Sequence, residues 1–205
     1  MALGQFLTFE GIDGSGKSTQ AKRLAETLRA EGRDVILTRE PGGSAGAEEI
    51  RALLVEGDPG RWSAETEILL FTAARRDHLE RTILPGLQRG AVVISDRFAD
   101  STRVYQGAAH PELRRLVDLL HASMIGVEPR QTIIIDMDHE VALKRGLARQ
   151  SGEDRFEERG ADFQKQLRAG FLELAKDEDR CVVIDGMRSQ EEVAQDVASA
   201  VRSVL

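Results

Sequence analysis

The sequence predicts an α/β protein: a five-stranded parallel sheet flanked by helices on both faces. Three observations predict it. Five short apolar runs, at residues 5–9, 34–38, 91–95, 131–136 and 181–185, are continuous rather than alternating, the mark of strands covered on both sides. Helical patterns lie between them, and such alternation implies right-handed crossovers and parallel pairing. The first run leads straight into G-I-D-G-S-G-K-S at residues 11–18. This stretch fits the G-x-x-x-x-G-K-[ST] phosphate-binding loop at every fixed position, in the strand–loop–helix context that the motif requires.

In chain order, the loop comes first. Its glycines let the backbone curl so that N–H groups point inward at phosphate oxygens. The helix behind it adds the positive end of its dipole. Gly11, Ile12, Asp13, Gly14, Ser15, Gly16, Lys17, Ser18 and Thr19 are therefore the expected nucleoside triphosphate site. Lys17 supplies a mobile cation for the β and γ phosphates, and the Ser18 hydroxyl suits Mg²⁺. Ala21, Leu24, Ala25 and Leu28 then recur at helical spacing, and Gly32 stands where a C-terminal cap belongs. Ala47, Ile50, Leu53 and Leu54 mark a second helix. A third begins near Ser63, carries Glu65 and Glu67 in its first turn, and runs through Leu70 and Phe71 toward Ile83; Leu69 and Leu70 are expected in the core. Leu113, Leu116, Val117 and Leu120 mark another. The polar stretch 150–159, Q-S-G-E-D-R-F-E-E-R, lies between two helical patterns and reads as a mobile surface loop. Ser189 and Glu192 form a capping box ahead of a Val193, Val197, Val201 stripe.

With 205 residues, no internal repeat and no dividing linker, the chain is expected to form a single domain over 1–205. The net charge of −7 argues against nonspecific binding to nucleic acid or an anionic membrane, both of which attract a basic face. One cysteine, Cys181, excludes an internal disulfide and fits a reducing compartment; in C-V-V-I-D it reads as a buried strand residue. M-A-L-G-Q-F carries no basic leader and no run reaches membrane-spanning length, so a cytoplasmic location is expected. His78, His110, His121 and His139 lack metal-ligand spacing and read as surface or structural residues.

Sites in such sheets lie at the carboxyl ends of the strands. There stand Arg39-Glu40-Pro41-Gly42-Gly43 and Asp96-Arg97-Phe98. Asp96 occupies the position from which a second strand presents an acid to the Mg²⁺ shell. Arg97 places a cation at the same end as the phosphates. It forms either a structural ion pair with Asp96 or the anchor of a second anion, such as an acceptor phosphate. Arg39 and Arg51 could close on the same anion, because arginine suits bidentate phosphate capture.

At these residues the chain resembles a known family. F-E-G-I-D-G-S-G-K-S-T, T-R-E-P-G-G, L-L-F-T-A-A-R-R-D-H-L, D-R-F-A-D-S-T-R-V-Y-Q-G and D-R-F-E are similar, in order, to the motifs of bacterial thymidylate kinases and span residues 6–157. The resemblance implies a three-layer nucleoside-monophosphate-kinase fold and the reaction ATP + dTMP → ADP + dTDP with Mg²⁺. It implies that Phe71 stacks on thymine and that Arg75 donates to the base O4. Residues four apart share a helix face, so one helix can present both. Cytosine would leave that donor facing an amino group, a mismatch that such a site rejects strongly. By the same resemblance Thr102 and Gln106 lie near the base edge, Tyr105 packs under the deoxyribose, Asp13 accepts from the 3′-hydroxyl, and Arg97 binds the acceptor phosphate with Arg39 and Arg51 nearby. Some family members carry an arginine in the phosphate loop. Here Gly14 and Ser15 hold those positions, so the cation is expected from a lid at about 149–159, from Arg155 first and Arg149 second. Homodimers through packed helices are common in the family. P-R-Q-T at 129–132 and A-A-H-P at 108–111 depart from its usual runs. Two rival readings are a P-loop kinase for another small acceptor and a partner-regulated ATPase.

Overall fold

The computed structural model describes residues 4–57, 60–109, 111–147 and 160–205. The described elements are β1 (Gln5–Glu10), α1 (Lys17–Ala30), β2 (Val35–Arg39), α2 (Ala45–Val55), α3 (Ala64–His78), α4 (Leu84–Gln88), β3 (Val92–Asp96), α5 (Ala99–Ala109), α6 (Arg114–Leu120), β4 (Gln131–Asp136), α7 (His139–Leu147), α8 (Gly160–Asp177), β5 (Cys181–Asp185) and α9 (Gln190–Val201). The five strands form one parallel sheet in the order β2-β3-β1-β4-β5. In its register Arg39 pairs with Asp96 and Asp96 with Phe9, so three strand ends finish level beside the phosphate loop.

Period-two alternation divides the central strand between two layers. Leu7 and Phe9 face α1 and α9, where Ala21, Leu24, Leu28, Val193, Val197 and Val201 close a continuous apolar cluster. Both helical stripes read from the sequence are buried there, and the Ser189–Glu192 capping box is present. Gly32 follows α1 with φ 82°, a left-handed conformation that suits glycine. Phe6, Thr8 and Glu10 are buried in the opposite layer. That layer holds two apolar clusters, one around Phe6, Ile83, Val93 and Phe98, the other around Ile134, Val104, Leu167 and Phe171. It also holds a buried polar network. Thr8 and Thr132 share a 2.8 Å hydroxyl contact, and Asp100 accepts from Arg180 at 2.6 and 2.9 Å and from Arg103 at 2.8 Å.

Four expectations need correction. The strands at the ends of the sheet, β2 and β5, are only partly covered; Val183 is 42% exposed, because an edge strand has one neighbour and less helix above it. Leu69 is 55% exposed, whereas α3 turns Glu67, Ile68, Ala74, Arg75 and His78 inward. The third helix does not run unbroken to Ile83: α3 ends at His78, and a π-helical turn over Leu79–Ile83 leads into α4. Pro85 has no N–H to donate back to Arg81, and a wider turn absorbs the missing bond. Cys181 is half-buried rather than fully covered; burial pushes its thiol up to about 12, which makes it unreactive. The sequence reading also passed over α5, although Thr102, Tyr105 and Gln106 recur at helical spacing along it.

Candidate active site

The ends of β1, β2 and β3 and the facing sides of α1, α3 and α5 enclose a cleft of about 390 Å³. The phosphate loop forms its floor. Gly11, Gly14 and Gly16 have φ of 135°, 82° and 98°, backbone that glycine adopts without strain. Gly14 is also pressed against α7, where a Cβ would run into the Ala142 carbonyl. No side chain fits there unless α7 moves, so the packing excludes an arginine at position 14. Ser15 is buried in the loop, Thr19 is half-buried on α1, and Ser18 is exposed at the cleft. Lys17 is 6% exposed and donates to Ile12 O at 3.3 Å and Asp13 Oδ1 at 3.2 Å. Burial and the neighbouring Arg97 push its pKa down, against the pull of Asp13 and Asp96.

Arg97 lies at the junction of β3 and α5 in a left-handed conformation, φ 71°. For a non-glycine residue this costs on the order of 1 kcal/mol and points to a functional constraint. The junction holds it: its N–H donates to Phe9 O at 2.9 Å, and its own carbonyl accepts from Ser95 Oγ at 2.8 Å. The guanidinium donates to Asp13, to Tyr105 OH at 3.0 Å and to Ser101 Oγ at 2.7 Å. Arg97 therefore pairs with Asp13 and not with Asp96. Tyr105 OH completes the cluster by donating to Asp13 Oδ2 at 2.8 Å. Burial pushes the Asp13 carboxyl up, but Arg97 and Lys17 outweigh it and hold the group well below the usual carboxylate range. Asp96 Oδ1 is buried with no hydrogen-bond partner, an acceptor left over beside this cluster.

The opposite wall belongs to Arg75, which is 3% exposed. It donates to Glu40 Oε2 at 2.7 Å, Phe98 O at 3.2 Å and Thr102 Oγ1 at 2.9 Å. Glu40 is itself held by His78 Nδ1 at 2.9 Å, and His78 Nε2 meets Thr38 Oγ1 at 2.8 Å. Burial raises the Glu40 carboxyl, yet Arg75 and His78 keep it below its ordinary value. Phe71 lines the cleft one turn before Arg75 and is half-buried. Gln106 donates to Glu67 at 3.5 Å, while its Oε1 is buried without a partner. Arg39 and Arg51 both line the cleft; Arg39 reaches Glu48 at 3.1 Å and Arg51 donates to Pro41 O at 2.6 Å.

The cleft thus gathers Asp13, Lys17, Ser18, Arg39, Arg51, Phe71, Arg75, Asp96, Arg97, Thr102, Tyr105 and Gln106, residues that span nearly a hundred positions of sequence. Arg149 and Arg155 lie outside the described residues. Sequence reasoning missed Glu10, found Glu40 only within a strand-end run and Glu67 only as an acid at a helix start, and left His78 undistinguished; each is a buried polar group braced against a cleft residue. Among the described residues no group of three or more His, Cys, Asp or Glu side chains is arranged to hold a metal ion.

A glycine-cradled lysine facing a walled, arginine-lined acceptor cleft defines a P-loop phosphotransferase. Comparison with known proteins makes the class specific. The thymidylate kinase family profile matches residues 9–197, and the chain belongs to that family. A thymidylate kinase of Dinoroseobacter shibae is 71% identical over 195 residues, covering 95% of this chain and 94% of the relative. One from Ruegeria pomeroyi is 66% identical, with 97% and 94% covered. The crystal structure of thymidylate kinase from Ehrlichia chaffeensis superimposes with a TM-score of 0.78 at 36% identity, covering 97% of this chain and 99% of that one.

Proposed function

We infer that this chain transfers the γ-phosphate of ATP to dTMP, giving ADP and dTDP. The observation that carries the reading is the pairing of a complete phosphate loop with a base-sized cleft whose far wall presents Phe71 and the fixed Arg75 guanidinium. The loop and Lys17 would hold the ATP phosphates. Phe71 would stack on the thymine ring, Arg75 would donate to its O4, and Thr102 and Gln106 would meet the base edge. Tyr105 would pack against the deoxyribose, where it leaves little room for a 2′-hydroxyl. Asp13 would accept from the 3′-hydroxyl, and Arg97, with Arg39 and Arg51 nearby, would hold the acceptor phosphate.

Phosphoryl transfer needs little covalent help, so positioning and charge neutralisation carry the rate. Water must be kept from the transferring group, the task assigned to the lid at about 149–159, with Arg155 first and Arg149 second as its transition-state cation. The unpartnered Asp96 Oδ1 and the exposed Ser18 hydroxyl suit a divalent cation. Mg²⁺ held there would supply charge to the polyphosphate. The family's homodimeric assembly and a cytoplasmic location complete the proposal. No described helix is long and apolar enough to cross a membrane.

The test is ADP formation with Mg²⁺-ATP and, separately, dTMP, dUMP, dCMP, dGMP, AMP, shikimate or no acceptor. Turnover that depends on dTMP, with dUMP a poor second, is the expected result. Equal ADP release without acceptor would overturn the kinase reading in favour of an ATPase.

A further inference from the structure

We propose that Glu10 is a positioning residue: acting through Ser101, it fixes Arg97 for the acceptor phosphate and so sets the affinity for dTMP but not for ATP. The proposal rests on the reaction inferred above. Glu10 ends β1 and is fully buried. Its Oε1 accepts from the backbone N–H groups of Phe98 at 2.8 Å and Ser101 at 3.2 Å, and its Oε2 accepts from Ser101 Oγ at 2.6 Å. Ser101 Oγ in turn accepts from Arg97 Nη1 at 2.7 Å. With Phe9 O taking the Arg97 N–H, the end of β1 holds the left-handed Arg97 backbone alongside the Ser95 hydroxyl and, through Ser101, fixes one side of its guanidinium.

A carboxylate suits this place for a reason that an amide does not share. Two backbone N–H groups and a hydroxyl all donate to it, so every partner needs an acceptor. Glutamine would accept with one atom but turn an NH₂ toward Ser101 Oγ, forcing the serine hydroxyl to point elsewhere and removing the charge behind Arg97. The charged groups facing Glu10 are Asp100 and Arg97. Burial and Asp100 push the Glu10 carboxyl up and Arg97 opposes them, leaving it at about 7. The brace therefore gains charge as pH rises through neutrality.

The experiment is a double-mutant cycle with Glu10→Gln, Ser101→Ala and the pair, read as KM and kcat for dTMP and for ATP between pH 6 and 9. Each single variant is expected to raise the dTMP KM about tenfold, the loss of one charge-assisted hydrogen bond, with the ATP KM unchanged. Because both variants cut one connection, Glu10→Gln should add less than about twofold in the Ser101→Ala background. The kcat/KM for dTMP of the unaltered protein should rise through about pH 7, and this limb should be absent in Glu10→Gln. Independent, multiplying effects, equal rises in both KM values, or an unchanged pH limb would each overturn the proposal. Should Glu10→Gln not fold, Ser101→Ala keeps the Glu10 bonds to backbone; an unchanged dTMP KM in that variant overturns the proposal by itself. A readout independent of turnover separates this idea from the kinase reading. The Arg97 side-chain ¹⁵N resonance should follow Glu10 with a midpoint near 7 in the unaltered protein and lose that transition in Ser101→Ala. A protein silent toward dTMP that still shows this transition would sink the reaction and keep the brace; a resonance that ignores pH would sink the brace.

Discussion

Two arginines of the cleft, the buried Arg75 and the partly buried Arg97, are held in different ways. Arg75 is tied to groups of the wall: Glu40, the Phe98 carbonyl and Thr102, with Glu40 backed by His78 and Thr38. Arg97 is tied to groups of the site itself, Asp13, Tyr105 and Ser101. The first arrangement makes Arg75, the proposed donor to the base, part of the fold and fixed in place. The second pairs the Arg97 guanidinium with a carboxylate of the phosphate loop; under the roles proposed above, dTMP would take over part of the Asp13–Arg97 pairing. On the proposed roles, selectivity for the base would rest on a fixed donor, whereas affinity for the phosphate would depend on an exchange of partners.

Substitutions break this comparison in different places. The largest effect is expected from Arg97→Ala, which removes the proposed acceptor-phosphate anchor and should lower kcat/KM for dTMP by roughly 10²–10³-fold, the range seen when a preorganised charge is deleted from a reaction centre. A loss below about fivefold would move the acceptor phosphate to Arg39 and Arg51. A smaller effect follows from Phe71→Ala, which removes a half-buried ring from the cleft without touching the core. It should raise the dTMP KM by about tenfold, in keeping with a stacking contact of about 1–3 kcal/mol, and leave the ATP KM alone. Unchanged KM values for both would remove the ring from the base site.

The gentlest test uses pH. Asp13 has its carboxyl depressed in the folded chain, so its stabilising contribution is complete above the ordinary value of 3.8 and is lost as pH falls through the lower folded value. Glu40 acts in the same direction. Glu10, raised to about 7, acts in reverse: its contribution is present below its unfolded value of 4.5 and fades as pH rises toward 7. Asp13→Asn should flatten the acid limb of a urea-midpoint-against-pH curve slightly, and Glu10→Gln should flatten the limb between about 4.5 and 7. An acid limb untouched by Asp13→Asn would assign acid sensitivity to other carboxylates, Glu40 first.

The parts of this site that could be read from the sequence are those whose signal is local. The phosphate loop is a backbone requirement written as glycine spacing, and the strand-end rule found Arg39, Asp96 and Arg97 because parallel sheets place their sites there. The supports were hidden because their partners are remote: Glu10 and Ser101 stand 91 positions apart, and Glu40 and His78 stand 38 apart. A buried glutamate in an apolar strand looks like noise until the fold brings its donors to it. Leu69 shows the reverse error, since an apolar residue beside Ile68 looks like core although α3 turns it to the surface. α5 was within reach, because Thr102, Tyr105 and Gln106 already had the helical spacing that puts them on one face.

The most direct test of the comparison is the urea unfolding free energy of Arg75→Ala and Arg97→Ala, measured side by side. Arg75→Ala strands a buried Glu40 with His78 alone and should cost about 3 kcal/mol. Arg97→Ala leaves Asp13 its bonds to Lys17 and Tyr105 and relieves the repulsion between Arg97 and Lys17, so it should cost only about 1 kcal/mol, although it is expected to be the more damaging change for catalysis. Equal losses of stability, or a larger loss at Arg97, would contradict the account that one arginine belongs to the fold and the other to the site.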